Sequence, residues 1–164
     1  MSEPQGPSAK VVGGGVSALA AACIIGVAAF VSPWEGRELK PYRDLVGVWT
    51  WCEGITKGVR KASYTHAECD ELLRHEVYNH LYALDKCVVP DLKEHEWIAL
   101  GSWVYNVGPG AACGSTLVRK INAGKPASEW CRELLKWDYA GGKRVRGLTR
   151  RREAEFKTCI GAAK

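Results

Sequence analysis

The sequence predicts an α+β domain in which a small β-hairpin lobe lies beside a larger, predominantly helical lobe, with a cleft between them. The only strongly extended region, at about 42–58, is rich in aromatic and β-branched residues. After it, helix-capping signals divide the chain into successive helices. About 130 residues follow a long apolar run, which is enough for one domain with one hydrophobic core.

The apolar run covers 11–31, VVGGGVSALAAACIIGVAAFV, and follows a polar leader at 1–10. As a helix, its 21 uncharged residues would span roughly 31 Å, close to the thickness of a bilayer core. Glycine and alanine fill ten positions and strongly apolar residues only nine, so we expect marginal insertion. The alternatives are a cleavable signal peptide, for which the run is long, and a buried core helix, which its four glycines disfavour.

The elements after this run begin with Glu35, which we place at the start of a short helix ended by Pro41. The extended segment follows. Thr65 and Glu68 then form a capping box, which predicts a helix to about Lys86. Further helices are predicted from Asp91 to before Gly108, from Ser115 to Gly124, over 127–139, and from a cap at Thr149 onward.

Two carboxylates and a hydroxyl in the predicted helix and hairpin after the apolar run are candidate catalytic groups. Glu35 lies on the predicted helix, while Asp44 and Thr50 lie on the hairpin that folds over it. Hydrolysis of a glycosidic bond needs one protonated carboxyl group for the leaving oxygen and one ionised carboxylate to direct water or stabilise positive charge. By spacing alone, however, two such acids more often belong to solvated surfaces.

At these residues the chain resembles the phage-type lysozymes, glycoside hydrolase family 24. The matching positions are Glu35, Gly36, Tyr42, Asp44, Gly47 and Thr50, in that order. The resemblance continues through WVYNVGPG at 103–110, STLVRKINAG at 115–124, and WDYAGG with GLTRRREAE at 137–155. It therefore covers nearly all of the chain after residue 32.

The resemblance implies a lysozyme-like fold and hydrolysis, without a cofactor or metal, of the β-1,4 bond between N-acetylmuramic acid and N-acetylglucosamine in peptidoglycan. It makes Glu35 the acid, Asp44 the base or electrostatic partner, and Thr50 the group that positions water. It leans toward inversion at the sugar carbon, which needs carboxyl groups about 6.5–9.5 Å apart.

The resemblance also implies that Asn106 and Arg152 are substrate-binding residues. From the sequence alone, Asn106 is an amide near a helix end, where local capping is the commoner role, and the arginines are part of a solvated basic cluster at 143–152. The resemblance leaves open whether Arg151 or Arg152 pairs with Glu35. One departure is Ile55, which stands where the family usually has a histidine, and Glu53 nearby replaces a ring or an aliphatic side chain.

The Gly/Ala-rich run is similar to the N-terminal segment of signal-anchor-release endolysins. That likeness implies a protein held in the host inner membrane through 11–31 and later released into the periplasm. Lys10 before the run predicts a cytoplasmic N-terminus and an exported domain at 32–164. Glu35 would then lie within about 14 Å of the bilayer, so we expect the tethered form to be inactive.

Seven cysteines indicate an oxidising compartment. Six lie in the domain and allow 15 connectivities, which spacing does not resolve. Similarity to cysteine-bearing relatives implies Cys52–Cys69, Cys87–Cys113 and Cys131–Cys159, with Cys23 left over; its exchange into a disulfide stays open. Neither CxxC nor HExxH occurs, so we expect no metal site.

The formal charge of +5 favours an anionic partner. We expect this partner to be the peptidoglycan strands and the protein to be a monomer. The export signal and the cysteines weigh against nucleic acid as the partner. The alternatives are a lytic transglycosylase acting on the same bond and a catalytically inactive wall-binding protein. Formation of 1,6-anhydro ends would distinguish the first of these.

Overall fold

The structure is a computed structural model that describes residues 18–162. It opens with α1 (Ala18–Glu35) and a hairpin of β1 (Glu38–Arg43) and β2 (Trp49–Cys52). The helical lobe contains α2 (His66–Asp85), α3 (Glu94–Val107), α4 (Pro109–Cys113), α5 (Thr116–Asn122) and α6 (Ala127–Trp130). A 3-10 helix (Cys131–Lys136), a second hairpin of β3 (Tyr139–Ala140) and β4 (Lys143–Arg144), and α7 (Arg146–Cys159) complete it. The predicted combination of a helical lobe and a small hairpin lobe is confirmed.

Glu35 ends a helix, so the prediction that it begins one is wrong. The helix continues from the apolar run and stops at Gly36, whose φ of +73° is a conformation that favours glycine. Residues 38–43 are extended because they pair with β2, with Tyr42 opposite Thr50. The register shifts between Glu38 and Tyr42, where Pro41 is tolerated. Pairing with a neighbouring strand therefore overrides the helix propensity of EGRELK.

Helix α1 is part of the main hydrophobic core. Cys23, Val27 and Val31 are buried in it, and the helix packs against α2 and α3. A Cβ on Gly101 of α3 would overlap Val27 Cγ2, so the glycine allows close approach of the two helices. Within residues 18–162, no helix is long and apolar enough to cross a membrane. The leader at 1–10 and the first part of the predicted span, 11–17, lie outside the described residues.

The helix boundaries agree where the signals are local. The Thr65 and Glu68 capping box is confirmed, and Ser115 caps α5 by accepting from the Val118 N–H. By contrast, α3 is capped at Lys93 rather than Asp91, because the Glu96 carboxylate accepts from the Lys93 N–H.

Two further boundary predictions, both in the last third of the chain, are wrong. The helix predicted over 127–139 ends as a 3-10 turn and gives way to β3, which pairs with β4. The last helix starts at Arg146, so Thr149 lies inside its first turn. Its Oγ1 donates to Asp138 Oδ2 at 2.9 Å instead of capping the helix.

The three disulfides implied by the resemblance are confirmed: Cys52–Cys69, Cys87–Cys113 and Cys131–Cys159. Cys23 is buried and unpaired. The first disulfide fastens the hairpin lobe to α2, and the other two fasten elements within the helical lobe. The hairpin lobe has a second apolar cluster of its own around Trp51, which stacks on Tyr64.

Candidate active site

Glu35 is the last residue of α1, and its carboxylate faces α7. Arg151 Nη1 donates to Glu35 Oε1 at 2.5 Å. The Glu35 side chain keeps 23% of its exposure, while that of Arg151 keeps only 4%. A buried cation therefore holds a carboxylate that solvent and a substrate can still reach.

The Arg151 guanidinium is held from several sides. Its Nη2 donates to the Ser102 carbonyl oxygen at 3.0 Å, and its Nε donates to Glu155 Oε1 at 3.2 Å. The Ser102 hydroxyl also donates to Glu155 Oε1, at 2.6 Å. The choice between the two arginines is thereby resolved, since Arg151 rather than Arg152 contacts Glu35.

Arg152 is fully buried and lies behind the site. Its Nη2 donates to Asn106 Oδ1 at 2.8 Å, and its Nη1 lies 3.2 Å from Glu155 Oε2. Burial lowers the pKa of Arg152 and raises that of Glu155, while their mutual attraction opposes both shifts. Asn106 itself is exposed at the end of α3. Asn106 can therefore meet a ligand directly, whereas Arg152 reaches one only through it.

Asp44 lies in the turn of the first hairpin. Its Oδ1 accepts from the backbone N–H groups of Val46, at 3.0 Å, and Val48, at 2.8 Å. Gly47 completes the turn with a φ of +81°. The turn thus fixes one oxygen of the carboxylate, and within the described residues no group donates to the other, Oδ2.

Thr50 lies on β2, opposite Tyr42, and is only 5% exposed. Its Oγ1 donates to the Val48 carbonyl oxygen at 3.2 Å. The peptide groups of Val48 therefore link Asp44 and Thr50, one through the N–H and the other through the carbonyl. In the described part of the chain, Glu35 makes no hydrogen bond to either residue.

A family model for phage lysozyme matches residues 32–155, which is most of the chain. The chain belongs to the phage lysozyme family. A SAR-endolysin of Enterobacteria phage PA-2 is 40% identical over 154 residues, covering 93% of this chain and 92% of the relative.

Two solved structures support the same fold. A P22 lysozyme mutant aligns with a TM-score of 0.75 and 26% identity, over 82% of this chain and 94% of that one. The muramidase domain of SpmX from Asticaccaulis excentricus aligns with a TM-score of 0.74 and 25% identity, over 83% of this chain and 95% of that one.

Sequence reasoning missed a second group of polar residues beside this site. Glu53 is fully buried after β2 and contacts Ser32 and Arg37, which come from either side of Glu35. Tyr105 Oη donates to the Glu53 carbonyl oxygen at 3.0 Å. Burial, and then the negative charge of Glu35, raise the pKa of Tyr105. The unusual carboxylate at position 53 was the signal available in the sequence.

Ile55 is 4% exposed and packs with Trp51, Tyr64 and Cys69, so an apolar contact occupies the usual histidine position. A cavity of about 230 Å³ lies beside it, between residues 54–57 of the hairpin lobe and Glu76, His80 and Tyr105 of the helical lobe. In residues 18–162, Cys52, Glu53 and Cys69 have donor atoms within 4.8 Å of one another. The sulfurs of Cys52 and Cys69 are joined in a disulfide, so the two cysteines are not thiolate ligands.

Proposed function

We propose that this chain is a muramidase that hydrolyses the β-1,4 bond between N-acetylmuramic acid and N-acetylglucosamine, with Glu35, Asp44 and Thr50 at its catalytic centre. The observation that carries the proposal is the partly exposed Glu35 carboxyl group, held by the buried Arg151 beside the hairpin with Asp44. Membership of the phage lysozyme family supports a peptidoglycan-degrading enzyme, as do the endolysin and muramidase names of the relatives.

Glu35, when protonated, donates its proton to the oxygen of the departing sugar. General acid catalysis of this kind contributes roughly 10²–10⁴-fold to the rate. Arg151 fixes the direction of the carboxyl group, because the guanidinium is itself anchored to the backbone of Ser102 and to Glu155. The proton is thereby held in one place while the substrate binds.

Asp44 is the ionised carboxylate of the pair and acts as the base or as the electrostatic partner. Two backbone N–H groups hold its Oδ1, which leaves Oδ2 to accept a proton from water or to face the positive charge that develops on the sugar. Because the Thr50 hydroxyl directs its proton to the Val48 carbonyl, its oxygen can accept a hydrogen bond from that water. Water is then positioned between the two side chains.

Asn106 contacts the glycan. Its side-chain oxygen accepts from Arg152, so its NH₂ group is directed to the ligand and donates to a sugar oxygen. The expected contribution of Arg152 to substrate binding is therefore made by orienting this amide.

The proposed hydrolysis is tested by adding the purified protein to isolated peptidoglycan. We expect clearing, products with muramic-acid reducing ends, and a loss of rate of at least roughly 10²-fold in Glu35→Gln and in Asp44→Asn. Glu71→Gln, which changes an exposed carboxylate on α2, is the control and should clear like the parent. Products that carry 1,6-anhydro ends would instead identify a lytic transglycosylase, and clearing by Glu35→Gln at the parental rate would contradict the role of Glu35.

Before release, residues 11–31 hold the protein in the host inner membrane with its catalytic domain in the periplasm. The SAR-endolysin names of the relatives support this assignment. The position of α1 bears on activity, because Val27 and Val31 cannot lie in lipid and in the domain core at the same time. While the segment is in the membrane, the core lacks this helix and Glu35 is kept at the bilayer surface. The tethered form is inactive for that reason.

A more apolar segment tests the tether. Gly26→Leu would also displace the Ile98 side chain, because even a Cβ at this position would lie 2.5 Å from Ile98 Cδ1. Gly14→Leu combined with Ala29→Leu avoids this conflict, since Ala29 is exposed on α1. We expect this double variant to stay in the membrane fraction and to lyse cells later than the parent. Lysis at the parental time from a membrane-bound variant would refute the tether.

A further inference from the structure

Glu53 lies in the hairpin lobe, yet its side chain contacts the segment that contains Glu35. The side chain is fully buried, and its Oε1 accepts from the Ser32 hydroxyl at 3.1 Å and from Arg37 Nε at 2.6 Å. Arg37 Nη2 also lies 2.5 Å from the same oxygen. One carboxylate oxygen therefore binds two side chains that belong to another part of the chain.

Those two side chains flank Glu35 in the sequence. Ser32 precedes it by one helical turn, and Arg37 follows it after Gly36. The chain leaves α1 at Gly36, whose N–H donates to the Ser32 carbonyl oxygen at 3.2 Å. This turn brings Arg37 back toward Ser32, so Glu53 holds the chain on both sides of Glu35.

Glu53 is itself well fixed. Tyr105 of α3 donates to its carbonyl oxygen, and the preceding residue, Cys52, is joined to Cys69 of α2. Arg37 is held from α2 as well, because its Nη2 donates to Asp70 Oδ1 at 2.6 Å. The Glu35 segment, the hairpin lobe and α2 thus meet at one ion pair, in which Glu53 is fully buried and Arg37 is partly buried.

The contacts of Glu53 are not a favourable way to stabilise the fold. Within the described residues, the second oxygen of Glu53, Oε2, is buried and accepts no hydrogen bond. Burial of a charged group with an unpaired oxygen is unfavourable, and apolar residues often replace buried ion pairs without loss of stability. The geometry therefore favours a function that depends on where the carboxylate holds its partners.

We propose that Glu53 is a positioning residue, which fixes Glu35 relative to the hairpin that carries Asp44 and Thr50. This inference rests on the proposed function, because it assigns a purpose to the position of Glu35. Glu53 acts through Arg37 and Ser32, and it touches no reacting atom.

Glu53→Gln keeps the size of the side chain and removes the charge that holds Arg37. We expect kcat on soluble glycan strands to fall roughly 100-fold, the loss that a 1 Å misplacement of a catalytic group produces, while KM stays within about twofold. If Glu53 acts through Arg37, the double variant Glu53→Gln/Arg37→Gln loses no more kcat than the more affected single variant.

Glu133→Gln is the matched control. Glu133 is also a buried carboxylate that accepts from two cations, Lys120 and Lys136, each at 2.8 Å, but it lies outside the site. We expect this variant to lower Tm and keep the parental kcat, whereas Glu53→Gln lowers kcat even when circular dichroism shows it fully folded. If Glu53→Gln does not fold, Ser32→Ala removes one contact without leaving a charge unpaired and should lower kcat at unchanged KM.

Equal kcat in the parent, Glu53→Gln and Glu133→Gln would overturn the positioning role and leave the muramidase intact. Parental kcat in Ser32→Ala, where that variant is used, would do the same. A parent that releases no muramic-acid reducing ends would instead overturn the proposed function, and the positioning role with it.

Discussion

At the scale of single residues, Arg151 connects Glu35 at the end of α1 to the interior of α3 and α7. Its guanidinium reaches Glu35, the Ser102 carbonyl oxygen and Glu155 from one buried position. These contacts use the planar fork of an arginine, whose nitrogens point in fixed directions. A lysine keeps the charge but concentrates its donors on one nitrogen.

Arg151→Lys should therefore lower kcat by about 10- to 100-fold, because the lysine cannot hold Glu35 and the Ser102 carbonyl oxygen together. The release of reducing ends from glycan strands measures this effect. Arg150→Lys, at the exposed neighbouring position, is the control and should be as active as the parent. Equal rates for the two variants would show that the guanidinium geometry does not matter.

Glu68 gives a prediction about pH. The Lys61 ammonium, and then the Thr65 N–H, lower the pKa of Glu68 from 4.5 to about 2. Because the folded pKa is the lower one, the stabilisation is complete above pH 4.5 and is lost as the pH falls toward 2. Glu68→Gln should therefore lower Tm at pH 7 but not at about pH 2. A difference in Tm that is the same at both pH values would contradict this assignment.

At the scale of elements, the contact between α1 and α3 is set by glycine. A Cβ on Gly101 would overlap Val27 Cγ2 and lie 3.1 Å from Leu81 Cδ2. Gly26 of α1 faces Ile98 of α3 in the same way. The glycines of the apolar run, which we expect to lower its affinity for a membrane, therefore include one, Gly26, that packs in the folded domain.

Gly101→Ala should destabilise the domain by about 1–3 kcal/mol, because the added methyl group forces the two helices apart. Urea unfolding measures the effect. Adding Val27→Ala makes room, so the double variant should lose less than the sum of the two single changes. Gly147→Ala is the control: its Cβ meets open space on α7, and the alanine should stabilise the helix by up to about 1 kcal/mol.

At the scale of the whole molecule, the disulfides join elements that are distant in the sequence. Cys131–Cys159 joins the 3-10 helix to the end of α7 across 28 residues, and Cys52–Cys69 joins the lobes across 17. Closing such loops reduces the freedom of the unfolded chain. The Cys131–Cys159 bond also keeps α7, and with it Arg151, against the rest of the helical lobe.

Replacing Cys131 and Cys159 with alanine should cost about 2–5 kcal/mol of unfolding free energy, as measured by urea unfolding without reductant. Cys23→Ala is the control, because Cys23 is buried but outside any disulfide. Its Tm should fall on reduction by as much as that of the parent. A larger loss of stability in Cys23→Ala than in the disulfide variant would contradict the assignment.

Features that depend on adjacent residues could be predicted from the sequence. The Thr65 capping box and the Ser115 cap involve groups three residues apart, so the local sequence contains all the partners. The resemblance supplied the disulfide pairing, which spacing left open. The second hairpin was missed because β3 and β4 are two residues each and stabilise each other only by pairing.

The contacts within the candidate active site could not be predicted from the sequence. Arg151 and Arg152 are adjacent, and consecutive helical residues point about 100° apart, so only the packing of α7 determines which one meets Glu35. Glu53 was noticed as unusual, but its partners Ser32 and Arg37 are 21 and 16 residues away. A pattern of neighbouring residues in the sequence does not predict a contact between residues so far apart.

The sequence by itself determined the family resemblance, the mixed fold class, the locally capped helices and the candidate residues Glu35, Asp44 and Thr50. Only the tertiary structure decided that Glu35 ends a helix, that Arg151 holds it, and that α1 packs within the domain core. The physical reason is that side-chain type and short spacing are properties of neighbouring residues. Strand pairing, the rotation of a helix and the partner of a buried charge depend instead on segments that folding brings together.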